Sequence, residues 1–469
     1  MKSLTSSFRD PSGFVFNYNE KIYRQINKCF ANEFDSFISS GLCSALIEKG
    51  LLISHEDVDT PDIPRTGNCH RIILPEQIPY ISYPYEWSFS QLKDAAILTL
   101  KVQAQSLKSG FSLKDASSYN VQFIGSELKF IDTLSFEPYK EGEPWVAYRQ
   151  FCQHFLAPLA LMAYVDIDLA KLLSNYIDGI PLSLASKILP IRTRLNYGLQ
   201  LHLHLHAKIQ KAYSDSAKSA VEKKSEAKLT LKGQRAIIEG LASVINKLEW
   251  KLPRTEWGDY YANTNYDDQS FLKKRELVNL FIQAIPDKLN IVQDLGANTG
   301  EFSRIASNYC DTVISQDIDP VAVERNYLQS KSEPTNNILP LIQNLINPSP
   351  AIGWANNERD SFVKRARCDC LLALALIHHL TISNNTPLSH VAELFSQITN
   401  WLVIEFVPKS DSQVGRLLAT REDIFEDYTE AGFEAAFSTF FTLKRKEILS
   451  RSDRVLYLMK SNDNHQKPD

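Results

Sequence analysis

The chain has 469 residues, 44% of them hydrophobic and 23% charged, with a formal net charge of −4. That length exceeds what one hydrophobic core usually serves, so two or three domains are expected. The small net charge gives no reason to expect nucleic acid or an anionic membrane as the main partner, no apolar run reaches the roughly 18 residues of a membrane span, and the N-terminus lacks the apolar core of a signal peptide. Seven scattered cysteines, an odd number, read as reduced thiols in a cytoplasmic protein.

In chain order, "SGFVFNYNEKIYRQI" (12–26) predicts two short strands around a turn. Residues 29–52 have helical spacing with a break at Ser39-Ser40-Gly41, and 55–68 are loop by composition. Residues 88–110 predict a helix that Ser88 or Ser90 can cap and Gly110 can end. An apolar helix follows at 144–164, and helical patterns run on to about Tyr213. Within them "LHLHLH" offers His202, His204 and His206; on a strand all three would share a face, on a helix only His202 and His206 would. The polar, charged stretch 213–234 is the clearest linker, and 235–252 predict a helix.

Between the two long helices, Asp115 is followed by Asn120 and then by Asp132 after a hairpin around Gly125-Ser126. This spacing resembles the catalytic and metal-binding loops of protein kinases and aminoglycoside phosphotransferases, in which such residues orient the accepting hydroxyl and hold metal ions. The departures are Leu113 where a histidine is usual, Thr-Leu after Asp132, no glycine-rich loop and no strand lysine before residue 80. The resemblance implies an α+β domain over 1–212 that is kinase-like and degenerate.

From about Leu289 strands and helices alternate, which predicts a parallel sheet. "IVQDLGANTGEFS" (291–303) is a strand ending at Asp294, then Gly296, Asn298 and Gly300, then a helix. Glycine lets the chain turn sharply while a ligand approaches the backbone. "DTVISQDIDP" (311–320) ends a second strand at Asp317, near the spacing expected of a ribose-binding acid. Together these resemble motif I and the acidic second strand of class I S-adenosylmethionine-dependent methyltransferases. The resemblance covers about 256–460. It implies a doubly wound, Rossmann-like α/β sheet with S-adenosylmethionine as cofactor, held by Asp294, Gly296, Asn298, Gly300, Asp317, Ile318, Gln343 and Asn344. Further strands are expected at 336–348, 368–380 and 401–408, with a final antiparallel one at 450–460. The aromatic lead-in 257–278 offers Trp257, Tyr261 and Tyr266, of which Tyr266 is the expected cofactor contact.

Methyl transfer needs alignment of the nucleophile and, for some acceptors, a base. His378 and His379 follow the fourth strand and Glu405 ends the fifth, which makes them the catalytic candidates; either histidine can instead pack or be solvated. No metal is expected. The combined reading is a methyltransferase domain at 256–461, a charged linker and bridging helix at 213–255, and a disordered tail at 462–469. The acceptor is expected to be a small molecule, glycan or peptide, O-methylated, with the N-terminal domain aiding substrate binding. The alternatives are a phosphotransferase with an accessory methyltransferase domain and a non-catalytic cofactor-binding protein. Oligomeric state is not legible. The layout resembles that of bacterial nodulation-related methyltransferases.

Overall fold

The computed structural model describes residues 2–209, 229–253, 268–419, 421–449 and 452–462. The chain divides into two compact units, neither continuous in sequence: Met1–Phe123 with Leu128–Lys251 and Ala351–Arg359, and Ile124–Glu127 with Leu252–Pro350 and Asp360–Asp469.

In the first unit, β1 (Lys2–Ser3), β2 (Gly13–Tyr18), β3 (Lys21–Asn27), β4 (His55–Asp57) and β5 (Cys69–Pro75) form an antiparallel sheet in the order β1-β2-β3-β5-β4. Asn19 and Glu20 both take positive φ between β2 and β3, the conformation a two-residue hairpin demands. Helices Ala31–Ser39 and Leu42–Glu48 are separated at Gly41, whose φ of 75° breaks the run where the sequence suggested. The helix Phe89–Lys108 is capped by Ser88, which accepts from the Gln91 N–H while the Gln91 side chain reaches back to the Ser88 N–H.

Several expectations need correction. The 55–68 loop contains the edge strand β4, and β5 was not foreseen. "HED" has no apolar alternation, so only its backbone pairing to β5 reveals it. The 144–164 helix starts at Tyr148 and widens into a π-helical turn over Cys152–Leu156 just before Pro158, whose missing N–H breaks a regular ladder. The helix expected at 235–252 is Leu231–Lys247, capped by Thr230 inside the supposed linker. It belongs to the first unit: it packs on Phe89–Lys108, and Lys93 Nζ donates to the carbonyls of Asn246 and Leu248.

Short pairs complete this part of the chain: β6 (Phe111–Leu113) with β9 (Phe136–Pro138), and β7 (Val121–Ile124) with β8 (Glu127–Phe130). The segment Ala351–Arg359 also lies in the first unit, although it falls between two strands of the second unit's sheet. There buried Glu358 accepts two bonds from Arg9, at 2.8 and 2.6 Å, and the Arg359 guanidinium sits 4.3 Å from the centre of the Tyr119 ring.

The second unit is built on β10 (Leu289–Leu295), β11 (Cys310–Asp317), β12 (Ile338–Ile342), β13 (Cys368–Ala373), β14 (Thr399–Phe406), β15 (Phe441–Ile448) and β16 (Val455–Ser461). Their order is β12-β11-β10-β13-β14-β16-β15, with β10 to β14 parallel and β16 antiparallel to both its neighbours. This is the class I methyltransferase sheet. Helices cover both faces, so the strands β12, β13 and β14 are apolar over most of their length. Leu371, Leu402 and Ile404 enter one core, and Leu372, Trp401 and Val403 the other. The strand order reverses between β10 and β13, which opens a crevice at their carboxyl ends. The edge strand β15 is hard to read in the sequence because half of "FTLKRKEI" is charged and most of it is exposed.

Candidate cofactor and active site

The crevice is a cavity of about 260 Å³ in the second unit. Asp294, Gly296, Asn298, Asp317, Ile318, Gln343, Asn344 and His379, all chosen from sequence, line it. Gly300, His378 and Glu405 do not. Tyr266, Trp257 and Tyr261 lie outside the described residues.

The glycine turn shows why each residue stands where it does. Gly296 has φ 75°, and a Cβ there would lie 3.3 Å from Leu376 Cδ1 on the opposite wall. Asn298 takes φ 51°, a left-handed conformation that asparagine tolerates, so it does the backbone work of the glycine usual in dinucleotide sites. Its N–H donates to Asp317 Oδ2 at 2.7 Å, and the Asp319 N–H donates to Oδ1 at 2.9 Å. Gly300, the expected cofactor contact, instead packs inward: a Cβ would come within 2.4 Å of Asn326 Oδ1. Its role in this structure is close approach between helices.

Burial pushes the Asp317 carboxyl up to about 6, and the backbone N–H groups offset part of that. Burial pushes Asp294 up to about 7; the Ser303 hydroxyl, 2.6 Å away, restrains it. Gln343 donates its N–H to the Asp317 carbonyl at 2.8 Å, and the Asn344 side chain folds its own loop by accepting from Ile346 N–H at 2.9 Å. Gln316, also on the wall, has a buried side-chain oxygen with no protein donor.

The catalytic candidates separate. His379 lines the cavity, and burial, then nearby Arg454, lowers it to about 4, so it is neutral at pH 7. His378 lies against it, ring centres 4.1 Å apart and planes tilted by 41°, but is itself buried and held well below its ordinary value by burial. Glu405 is fully buried and paired with Lys274 at 2.6 Å and Arg454 at 3.4 Å. It therefore holds the wall rather than facing a substrate. Lys274 and Phe271, from the helix Asp268–Gln283, do line the cavity; "FLKKRELV" looks like a surface helix, so only burial distinguishes them. Ala375, also on the wall, has φ 51°, a strained conformation for a residue with a Cβ.

In the first unit, Asp115, Asn120 and Asp132 converge. Asp132 accepts from Ser135, whose hydroxyl lies 3.5 Å from Asn120 Nδ2, and Asp115 is raised by burial and then by the charge of Asp132. Arg24 is not legible in the sequence, because kinase-like sites place a lysine, not an arginine, on a strand. It stands on β3 and pairs directly with Asp132. Among the described residues no cluster of three or more His, Cys, Asp or Glu side chains could hold a metal ion.

No family model matches the chain. Among solved structures it resembles the N-methyltransferase NodS from Bradyrhizobium japonicum WM9, at 11% identity and TM-score 0.31 over 42% of this chain and 99% of that one. It also resembles magnesium protoporphyrin IX methyltransferase from Synechocystis PCC 6803, at 15% identity and TM-score 0.30 over 44% of this chain and 93% of that one. The strand order, not these scores, is what places the fold. A sequence relative reaches further: nodulation protein NoeA of Rhizobium meliloti strain 1021 is 36% identical over 458 residues, 97% of this chain and 95% of that one. A likeness of that depth, spanning both units almost end to end, makes this chain a member of the NoeA family.

Proposed function

We propose that the second unit is an S-adenosylmethionine-dependent methyltransferase acting on a small-molecule, glycan or peptide acceptor, most simply at oxygen. The observation that carries this is Asp317. Two backbone N–H groups aim its carboxylate into the cavity beside the glycine turn, and each oxygen keeps a lone pair for one hydroxyl of a ribose. The other lining groups fit the same molecule. Ile318 and Leu345 offer apolar surface to a purine, and Gln343 and Asn344 offer amides to its edge.

When bound, the cofactor supplies a methyl group already activated on sulfur. The protein's own contribution is then alignment and exclusion of water. Leu374, Leu376 and Leu380 make the acceptor side of the cavity apolar. Neutral His379 accepts a hydrogen bond from an acceptor hydroxyl and orients it.

The first unit is proposed to be kinase-like in fold, with substrate binding rather than phosphoryl transfer as its role. Convergence of Asp115, Asn120 and Asp132 supports the fold, and the guanidinium already seated on Asp132 argues against a metal there. Calorimetry with S-adenosylhomocysteine tests the main reading. Wild type should bind, and Asp317→Ala should bind about 10- to 150-fold more weakly, the equivalent of about 1.5–3 kcal/mol for bonds to a charged group. Absence of binding to wild type would overturn it.

A further inference from the structure

We infer that the first unit docks peripherally onto an anionic lipid surface through the face built by Lys187–Ile209. Three short helical pieces make this face: Ile191–Leu195, Tyr197–Leu199 and the π-helical turn Gln200–Leu205. Their inward side is well fixed. Thr193, Leu199 and Leu203 are buried, and His204 bonds Thr193 Oγ1 at 2.9 Å and Ser186 Oγ at 2.8 Å, which ties the first piece to the third. The platform is therefore ordered, and what it shows outward is not a consequence of loose packing.

Outward it shows large apolar side chains. Ile191, Leu195 and Tyr197 are 80%, 89% and 81% exposed, and Leu201 and Leu205 follow one turn apart at 39% each. Single exposed apolar residues are ordinary, but five within fifteen residues on linked helical pieces form a patch that calls for a partner.

Charge chooses the partner. Exposed Lys187, Arg192, Arg194 and Lys208 are interleaved with the apolar residues, and no Asp or Glu occurs after Asp178 through Ile209, although the whole chain is acidic. Aliphatic side chains at the acyl boundary, a tyrosine at headgroup depth and cations against phosphate are the pattern an anionic bilayer accepts. Among the described residues no helix is long and apolar enough to cross a membrane, so the contact would be peripheral.

Flotation of the full-length protein with vesicles of equal parts phosphatidylglycerol and phosphatidylcholine tests this. Wild type should float with them, more weakly with phosphatidylcholine alone, and less at high salt. Arg192→Gln with Arg194→Gln should weaken partitioning about 25-fold, about fivefold for each cation removed. Leu195→Ser with Tyr197→Ser should also release the protein. These side chains are exposed, so circular dichroism should show all variants folded. Failure to float with anionic vesicles, or flotation unchanged in both variants, would overturn the inference. So would a dimer in ultracentrifugation that both variants dissolve, because the face would then join two copies of this chain.

Discussion

Lys274 Nζ lies 2.6 Å from a Glu405 carboxylate oxygen, and both side chains are almost wholly out of solvent. One comes from the helix before the sheet and the other from the end of β14. Arg454 joins them at 3.4 Å and bonds Asp411 at 2.8 Å. Breaking a buried pair leaves a charge without a partner, which costs more than the pair contributes. Lys274→Met or Glu405→Leu should each lower stability by about 3–5 kcal/mol in urea titration, whereas the double variant should lose much less. Additive losses would mean that the two residues act independently.

Cofactor affinity should depend on pH through Asp317. Burial raises its carboxyl to about 6, and the ribose hydroxyls prefer the ionised form as acceptor. Binding should therefore be full above pH 7 and weaken as pH falls through 6, by up to about tenfold per pH unit. In Asp317→Asn this slope should flatten below pH 6, leaving any dependence near 7 to Asp294 in the same cavity. Calorimetry with S-adenosylhomocysteine between pH 5 and 8 reads both.

The two neighbouring histidines should behave differently. His379→Ala should keep cofactor affinity and lower turnover about 10²-fold, since His379 lines the cavity. His378→Ala should act on stability instead, because that ring is buried beneath it. With His379 at about 4, the rate profile should show no titration from this group between pH 5.5 and 8. A rate limb near 6.5 that disappears in His379→Ala would contradict the neutral-acceptor role.

Magnesium and ATP should not raise the melting temperature of wild type. Burial would raise the Asp132 carboxyl, but Arg24 and Ser135 outweigh it and hold it below its ordinary value, so the place of a metal is filled by a guanidinium. Arg24→Ala should destabilise the first unit by about 1.5–3 kcal/mol, since Asp132 then keeps the Ser135 hydroxyl and the Leu134 N–H as donors. A wild-type shift that Asp132→Ala abolishes would show nucleotide binding after all.

The first unit should also be acid-labile. Burial lowers His154 to about 3 and His202 to about 4, below the ordinary 6.5. The folded state thus refuses protons that the unfolded chain accepts. The stability is whole above about 6.5 and is lost as pH falls toward these values, by about 2 kcal/mol at pH 5 for His154 alone. Thermal melts from pH 7.5 to 5 should follow this, and His154→Gln should flatten the trend.

The glycine turn and the acid at the end of β11 were legible in place because a strand that turns at once into a helix constrains residue type at fixed spacing, and both line the cavity. Asn298 shows how narrow that constraint is: it departs from the glycine pattern but keeps the positive φ. What stayed hidden depended on burial. Lys274 and Glu405 look like a surface lysine and a polar strand end until the sheet brings them together. Gly300 looks like a ligand contact until Asn326 is seen against it. Arg24 and Asp132 are joined only by the fold, across more than a hundred residues.

The excursion of Ala351–Arg359 into the first unit, and of Ile124–Glu127 into the second, has a consequence at the level of the gene. No single uninterrupted run of codons encodes either unit. A recombination that copied only the later half would carry Glu358 away from Arg9, and one that copied only the earlier half would leave Arg9 and the Tyr119 ring facing nothing. Swapping either part between relatives by simple crossover is thus penalised in the protein product, and the two parts should descend together, with changes in one constrained by the stretch it lends to the other.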